Sequence, residues 1–393
     1  ATLILSLAYY PLVYLPVAAM LRGMDPCLEE AARSLGHGPW RVFFRVTLPQ
    51  IGPALLGGCL LVALHVLGEF GSFALLRFPT FTTAIYDQYR LTYDGAAAAM
   101  LALVLVGLCL LLLLVEMRVR GAARHARVGV GAARRLRRRR LRRATPLAIG
   151  AFALLAALAL GVPLATLAYW LARSREAAFP AADLLAATWS TLRLGLGAAA
   201  LTTLAAIPVA LLATRRPGRL DTLVERGVYV ATALPGLIVA LALAGVAVRF
   251  ARPLYQTTLL LLIAYAVLFL PLALVAARGA LAQAPPSLEE AARGLGCRPA
   301  AVVRRVTAPL IAPGLGAAMA LVFLSVVTEL TATLLLAPIG TNTLAMQVWT
   351  DTASLSYGAA APYAAAMVVI SIVPTFVLMR RSGALAGLGS ALA

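Results

Sequence analysis

A chain of 393 residues with 62% hydrophobic and 12% charged side chains lies outside the range of soluble proteins, which carry about 25% charged residues. All 34 basic residues are arginine, so the formal charge of +19 arises without a single lysine. That excludes a phosphate-cradling Gly-x-x-x-x-Gly-Lys loop, whose lysine must reach the phosphates; nucleotide hydrolysis driving this chain would belong to another polypeptide.

Apolar runs recur at about 1–21, 51–76, 96–117, 147–171, 189–214, 228–249, 258–278, 310–336 and 359–379. Each is near the 20 residues that a membrane-crossing helix needs, which predicts an all-α polytopic membrane protein with about nine transmembrane helices. Arginines cluster in alternate connections, around Arg22–Arg45, Arg118–Arg143, Arg215–Arg226, Arg293–Arg305 and Arg380–Arg381. Nine crossings put all of these on one face, which the positive-inside rule makes cytoplasmic, with the C-terminus. The Arg-rich stretch 118–144 has no aromatic residue for base stacking, so it reads as a cytoplasmic linker near anionic lipid and not as a nucleic-acid arm. Cys27, Cys59, Cys109 and Cys297 form no CxxC pair, and His37, His65 and His125 are scattered, so no metal site or cofactor is expected. The GLGAAA run at Gly195–Ala200 lies in an apolar segment and reads as small-residue helix packing.

A repeat organises the chain. LEEAARSLG at 28–36 returns as LEEAARGLG at 288–296, and the offset of 260 also pairs Pro11 with Pro271, Thr47 with Thr307, Pro49 with Pro309, and Glu69 with Glu329. Thr83 pairs with Thr343 at the same offset, and a three-residue insertion then brings Gly95 onto Gly358. A fixed offset across loops and helices indicates duplication. Six helices follow the linker, so the copies are parallel units related by an axis along the membrane normal. The expected organisation is residues 1–117 as the C-terminal half of a first unit, 118–144 as linker, and 145–393 as a complete six-helix second unit. The first copy shows three helices and the chain has no initiating Met, so it reads as a fragment of a twelve-helix protein.

Both nonapeptides fall in a cytoplasmic connection, at 25–49 and 285–309. Asp25-Pro26 in one copy, and Ser287 with Glu290 in the other, look like N-terminal caps. Gly36 and Gly296 should end the helices in a left-handed cap. A second short helix follows each bend, PWRVFFRV or PAAVVRRV, before Pro49 or Pro309 leads into the membrane. Two such strings suit a rigid knob for a partner protein better than a plain surface connection.

EAARSLGHGPWRVFFRVTLP and EAARGLGCRPAAVVRRVTAP resemble the EAA loop of ABC importer permeases, with Val46 and Val306 where the family has Ile and Ala308 where it has Leu. GEFGSFALLRFPTFTTAIYDQY and TELTATLLLAPIGTNTLAMQVW are similar to the fused, double-length permeases of the ferric-iron class. The resemblance implies two copies of a separate ATPase gripping the EAA loops, a substrate-binding protein on the outer face, and alternating access in a bacterial inner membrane. It implies coupling roles for Glu29, Glu30, Ala31, Ala32 and Gly36, and for Glu289, Glu290, Ala291, Ala292 and Gly296, and no catalytic residue in this chain. Thiamine, polyamine or oxyanion transport would use the same machinery, and an ion-coupled secondary transporter is the alternative from another class.

Glu69 and Glu329 are read deep in the fifth helix of each unit, where an ionisable group costs a few kcal/mol. They could line a pathway for a cation, be satisfied by a neighbouring helix, or simply lie near the outer interface. His65, one turn before Glu69, reads as a packed or hydrogen-bonded residue. Asp87, Asp94 and Asp351 lie in outer loops that could receive a binding protein.

Overall fold

The computed structural model describes residues 1–24, 27–124, 144–173, 181–215, 218, 227, 228 and 230–381, and these hold helices but no strand. Asp25, Pro26 and most of the Arg-rich linker lie outside the described residues. The chain divides into two compact units, 1–166 and 167–393.

The first unit contains α1 (Thr2–Gly23), α2 (Cys27–Ser34), α3 (Pro39–Val42), α4 (Leu48–Gly68), α5 (Gly71–Leu75), α6 (Phe81–Arg90), α7 (Gly95–Arg124), α8 (Thr145–Ala156) and the start of α9 (Val162–Arg173). The second contains α10 (Ala181–Arg215), α11 (Gly236–Phe250), α12 (Thr258–Ala282), α13 (Pro286–Gly294), α14 (Pro299–Val302), α15 (Ala308–Val327), α16 (Thr331–Leu336), α17 (Leu344–Ala353) and α18 (Tyr357–Arg381). Among the described residues, eight helices are long and apolar enough to cross a membrane: Thr2–Gly23, Pro39–Gly68, Gly95–Val119, Thr145–Arg173, Ala181–Thr214, Thr258–Ala282, Pro299–Val327 and Tyr357–Met379. The segment expected at 228–249 appears as the shorter α11, whose start is set by Pro235 in extended backbone at its N-cap (ψ 140°).

Among the described residues, three helices contain a π turn, at Phe43–Thr47, Ala157–Gly161 and Val303–Thr307. Each ends two residues before a proline: Pro49, Pro163 and Pro309. Proline supplies no N–H and its ring crowds the carbonyl four residues back, so the helix widens by one residue just ahead of it. The short helices α3 and α14 therefore run without interruption into the spans α4 and α15.

In the second unit α10, α12 and α15 pack against one another around Leu194, Ala198, Tyr265, Val322 and Phe323. Without a hydrophobic drive between helices in lipid, close approach supplies the packing energy, and it needs small residues. Gly195 lies flat on Phe323, where an added Cβ would sit 2.9 Å from the ring, as the small-residue reading of GLGAAA requires. In the first unit α1 and α4 meet at Gly58, where a Cβ would lie 2.8 Å from the Val13 Cα.

The expected fifth helices are each two helices. The first breaks between α4 and α5 at Glu69, and the second between α15 and α16 just before Glu329. The two glutamates thus sit at helix ends, not deep within a helix. The insertion between the copies also lies earlier than the sequence alignment puts it. Thr80 and Thr343 occupy the same N-cap position, of α6 and α17, which is an offset of 263. The extra residues therefore fall in the turn before Thr343, where Gly340 takes φ +85°. Pairing Thr83 with Thr343 is incorrect: a cap hydroxyl must precede the first helical residue, whereas Thr83 is the third residue of α6.

Candidate functional site: the duplicated loop

α2 and α13 are built alike. Each carries an acidic residue in its first turn and Ala32 or Ala292 as its buried residue, and is followed two residues on by a left-handed glycine, Gly36 or Gly296, both at φ +82°. The Gly36 N–H donates to the Arg33 carbonyl (3.0 Å) and the His37 N–H to Ala32 (3.2 Å). The second copy repeats this with Gly296 to Arg293 (2.9 Å) and Cys297 to Ala292 (3.1 Å). This pair of bonds is the Schellman motif, so the bend is a defined cap. Nothing lies within 4 Å of a Cβ built on either glycine, so backbone conformation alone requires glycine there. Changing Gly36 and Gly296 to Ala should cost about 1–2 kcal/mol per loop, seen as faster amide exchange around residues 35–37 and 295–297.

The capping box expected at Ser287 is not formed. α13 starts at Pro286 with Pro285 as N-cap and no side-chain cap bond, so Ser287 is already helical. The fixed φ of proline preorganises the first turn and leaves no N–H there to be capped. The Asp25-Pro26 cap of the first copy lies outside the described residues.

The paired glutamates divide. Glu30 and Glu290 are exposed, as are Ala31 and Ala291. Glu29 and Glu289 are half-buried and turn inward. Glu29 accepts from the Thr47 hydroxyl (2.7 Å) and pairs with Arg33 (3.2 Å). Glu289 accepts from Thr307 (3.0 Å) and pairs with Arg293 (3.7 Å). The threonines belong to the 260-residue repeat and lie eighteen positions after their glutamates, but nothing in a linear pattern says that the chain folds back to join them.

The loops differ in their second helices. Trp40 and Phe44 stack at 6.2 Å with both rings exposed, whereas Ala300 and Arg304 hold the equivalent places. Each loop therefore offers the same acidic first helix beside a different second face.

Glu69 and Glu329 share one local structure. The Oε1 atoms accept from backbone N–H groups three residues on, Ser72 (2.9 Å) and Ala332 (3.0 Å), and so cap α5 and α16. Their carbonyls also accept from threonine hydroxyls, though from non-equivalent ones: Thr82 of α6, thirteen residues on (2.7 Å), and Thr333 of α16, four residues on (2.8 Å). The remaining contacts differ: Glu69 Oε2 accepts from the Tyr9 phenol at 2.9 Å, while Glu329 Oε1 also accepts from Thr331. The Glu69 carboxylate is thus hydrogen-bonded both by its own next turn and by α1, and the Glu329 carboxylate by its own next turn. Tyr9→Phe should lower the melting point by the equivalent of about 1 kcal/mol, the usual worth of an interhelical hydrogen bond in a membrane. His65 is held by the Leu61 carbonyl (2.9 Å) and packs against the Tyr9 ring at 5.7 Å, the packed and hydrogen-bonded state expected of it.

Of the loop carboxylates, Asp94 caps α7 through the N–H groups of Ala96 (3.0 Å) and Ala97 (2.9 Å). Burial pushes the Asp351 carboxyl above the usual carboxylate range, opposed by a hydrogen bond from Gln347. Asp87 is exposed. Among the described residues no group of three or more His, Cys, Asp or Glu side chains is placed to hold a metal.

Residues 1–121 and 203–382 match the family described as binding-protein-dependent transport system inner membrane component. The chain is 38% identical over 381 residues to the Fe(3+)-transport system permease protein FbpB 2 of Haemophilus influenzae, covering 96% of this chain and 75% of that protein. It is 43% identical over 72 residues to the molybdenum transport system permease protein ModB of Escherichia coli, 18% of this chain and 31% of that one. A solved structure, the MetNI methionine ABC transporter in inward-facing conformations, aligns with a TM-score of 0.42 at 20% identity, over 51% of this chain and 95% of that one. With its apolar spans and duplicated loops, the chain belongs to the inner membrane components of binding-protein-dependent transport systems, the permeases of ABC importers.

Proposed function

We propose that this chain is the permease subunit of a ferric-iron importer, coupled to a separate ATPase through the loops 25–49 and 285–309. The coupling reading is carried by one observation: two loops, 260 residues apart, each with an exposed glutamate (Glu30, Glu290) on a first helix closed by a left-handed glycine, followed by a second helix that runs through a π turn into a membrane span. Two ATPase copies would take one loop each, with Ala31 and Ala291 beside the glutamates in the contact. Ferric iron as substrate is supported by the relative that aligns over nearly the whole chain, while the molybdenum permease aligns over less than a fifth of it. Transport of an oxyanion, thiamine or a polyamine is the alternative.

In this reading residues 1–117 and 145–393 are two parallel permease units joined by the Arg-rich linker 118–144, with loops and C-terminus on the cytoplasmic side. A substrate-loaded binding protein docks on the opposite face, and closure of the ATPases moves both loops. Glu69 and Glu329, polar breaks in apolar helices, would border the pathway.

The test is ATP hydrolysis by the full-length chain with its ATPase in lipid vesicles, compared across binding proteins loaded with ferric iron, thiamine or molybdate. Stimulation by the ferric form alone is the expected result. Stimulation by another form moves the substrate and keeps the importer. A chain that binds no ATPase sinks the importer reading and favours a secondary transporter.

A further inference from the structure

Glu29 and Glu289 stand apart from the glutamates beside them. Each holds a threonine eighteen residues away, Thr47 at 2.7 Å and Thr307 at 3.0 Å, and both threonines are buried, at 7% and 6% exposure. Each threonine is also the last residue of its π turn, where the loop becomes the membrane span. A helical threonine usually donates its one hydroxyl proton back to the carbonyl four residues earlier, as Thr166, Thr191 and Thr214 do here (2.9, 2.8 and 2.8 Å). Thr47 and Thr307 direct that proton to a carboxylate across the bend.

The arrangement has a mechanical reading. α2 joins α3 through Leu35, Gly36, His37 and Gly38, and α13 joins α14 through Leu295, Gly296, Cys297 and Arg298. A load on the first helix would flex that short joint unless something spans it. The Glu–Thr bond spans it, closing a triangle of first helix, bend and span, and Arg33 or Arg293 braces the second carboxylate oxygen. The same contact forms where its neighbours are aromatic in one loop (Trp40, Phe44) and small or basic in the other (Ala300, Arg304).

We propose that Glu29–Thr47 and Glu289–Thr307 are latches that make each loop helix and the base of its membrane span a single lever. Glu29 and Glu289 are then positioning residues that act through Thr47 and Thr307, while Glu30 and Glu290 meet the ATPase. The inference rests on the importer reading for its consequence, but the latch itself can be read without any partner.

The experiment uses the full-length chain with Thr47→Val and Thr307→Val combined, an isosteric change that removes the hydroxyl from a buried position, and Thr→Ser at both sites as the control. Hydrogen–deuterium exchange in detergent should show loop amides at 28–47 and 288–307 exchanging about tenfold faster in the valine variant, the equilibrium factor of one charge-assisted hydrogen bond. The serine variant should match the wild type. In vesicles with ATPase and iron-loaded binding protein, the valine variant should retain the ATPase and hydrolyse ATP while iron moved per ATP falls. Unchanged exchange overturns the latch, whatever transport does. Faster exchange with normal uptake per ATP, or loss of ATPase binding, overturns the lever. Wild-type vesicles that move no iron count against the importer reading alone, because exchange still reports on the latch.

Discussion

Replacing Glu30 and Glu290 together by Arg should abolish stimulation of ATP hydrolysis by the loaded binding protein, while the chain accumulates in the membrane at its normal level. Both side chains are exposed on capped helices, so the fold does not depend on their charge. A reversed charge facing a docked partner costs about 2–5 kcal/mol per contact, enough to separate ATPase from permease at working concentrations. The measurement is copurification of the ATPase with the variant, followed by hydrolysis in vesicles. Single reversals should each leave a complex that holds the ATPase through one loop. If the double variant retains full stimulation, the coupling contact lies elsewhere on the loops. The aromatic face of Trp40 and Phe44 in the first loop would then be the next place to look.

Gly314→Ala should be the most damaging single-methyl change in the second unit. A Cβ at 314 would lie 2.3 Å from the Ala280 Cβ and 3.1 Å from its Cα, so relief requires movement of backbone, not of a flexible side-chain end. Forcing α15 away from α12 should cost about 1–3 kcal/mol, the usual range for overpacking a filled core. Gly279→Ala, one residue from Ala280 and with open space around its Cβ, is the matched control. Thermal unfolding in detergent, followed by loss of the monodisperse species, should show a clear drop for the first and little for the second.

The sequence reveals what depends on composition and on the repeat. Long apolar runs announce the spans, and a fixed offset announces two related loops, because both are written in consecutive residues. Gly36 and Gly296 are legible as caps because a left-handed residue after an alanine-rich helix leaves few alternatives to glycine. The breaks at Glu69 and Glu329 are less legible, since the Gly68, Gly71 and Ser72 around one and the Thr328 and Thr331 around the other also occur inside membrane helices. At each break a carboxylate caps the next turn through a local bond to the N–H three residues on, and glutamate is not among the residues that usually announce a helix cap. The start of α13 is misread for a related reason: Ser287 and Glu290 have the spacing of a capping box, but Pro285 and Pro286 begin the helix first. The difference in burial within each glutamate pair is hidden too, because Glu29 and Glu30 differ only in which way the helix turns them.

Carrying both loops on one polypeptide has a consequence for genetics. In a permease assembled from two identical subunits, a substitution appears twice and its effects cannot be separated. Here residue 30 and residue 290 have separate addresses, and so do Trp40 and Ala300. One loop can be silenced while its twin is left untouched, and the chain then becomes a counting device. If each loop takes one ATPase, as proposed, its residual uptake reads out whether one engaged motor suffices to turn the transporter over, or whether both must act in each cycle.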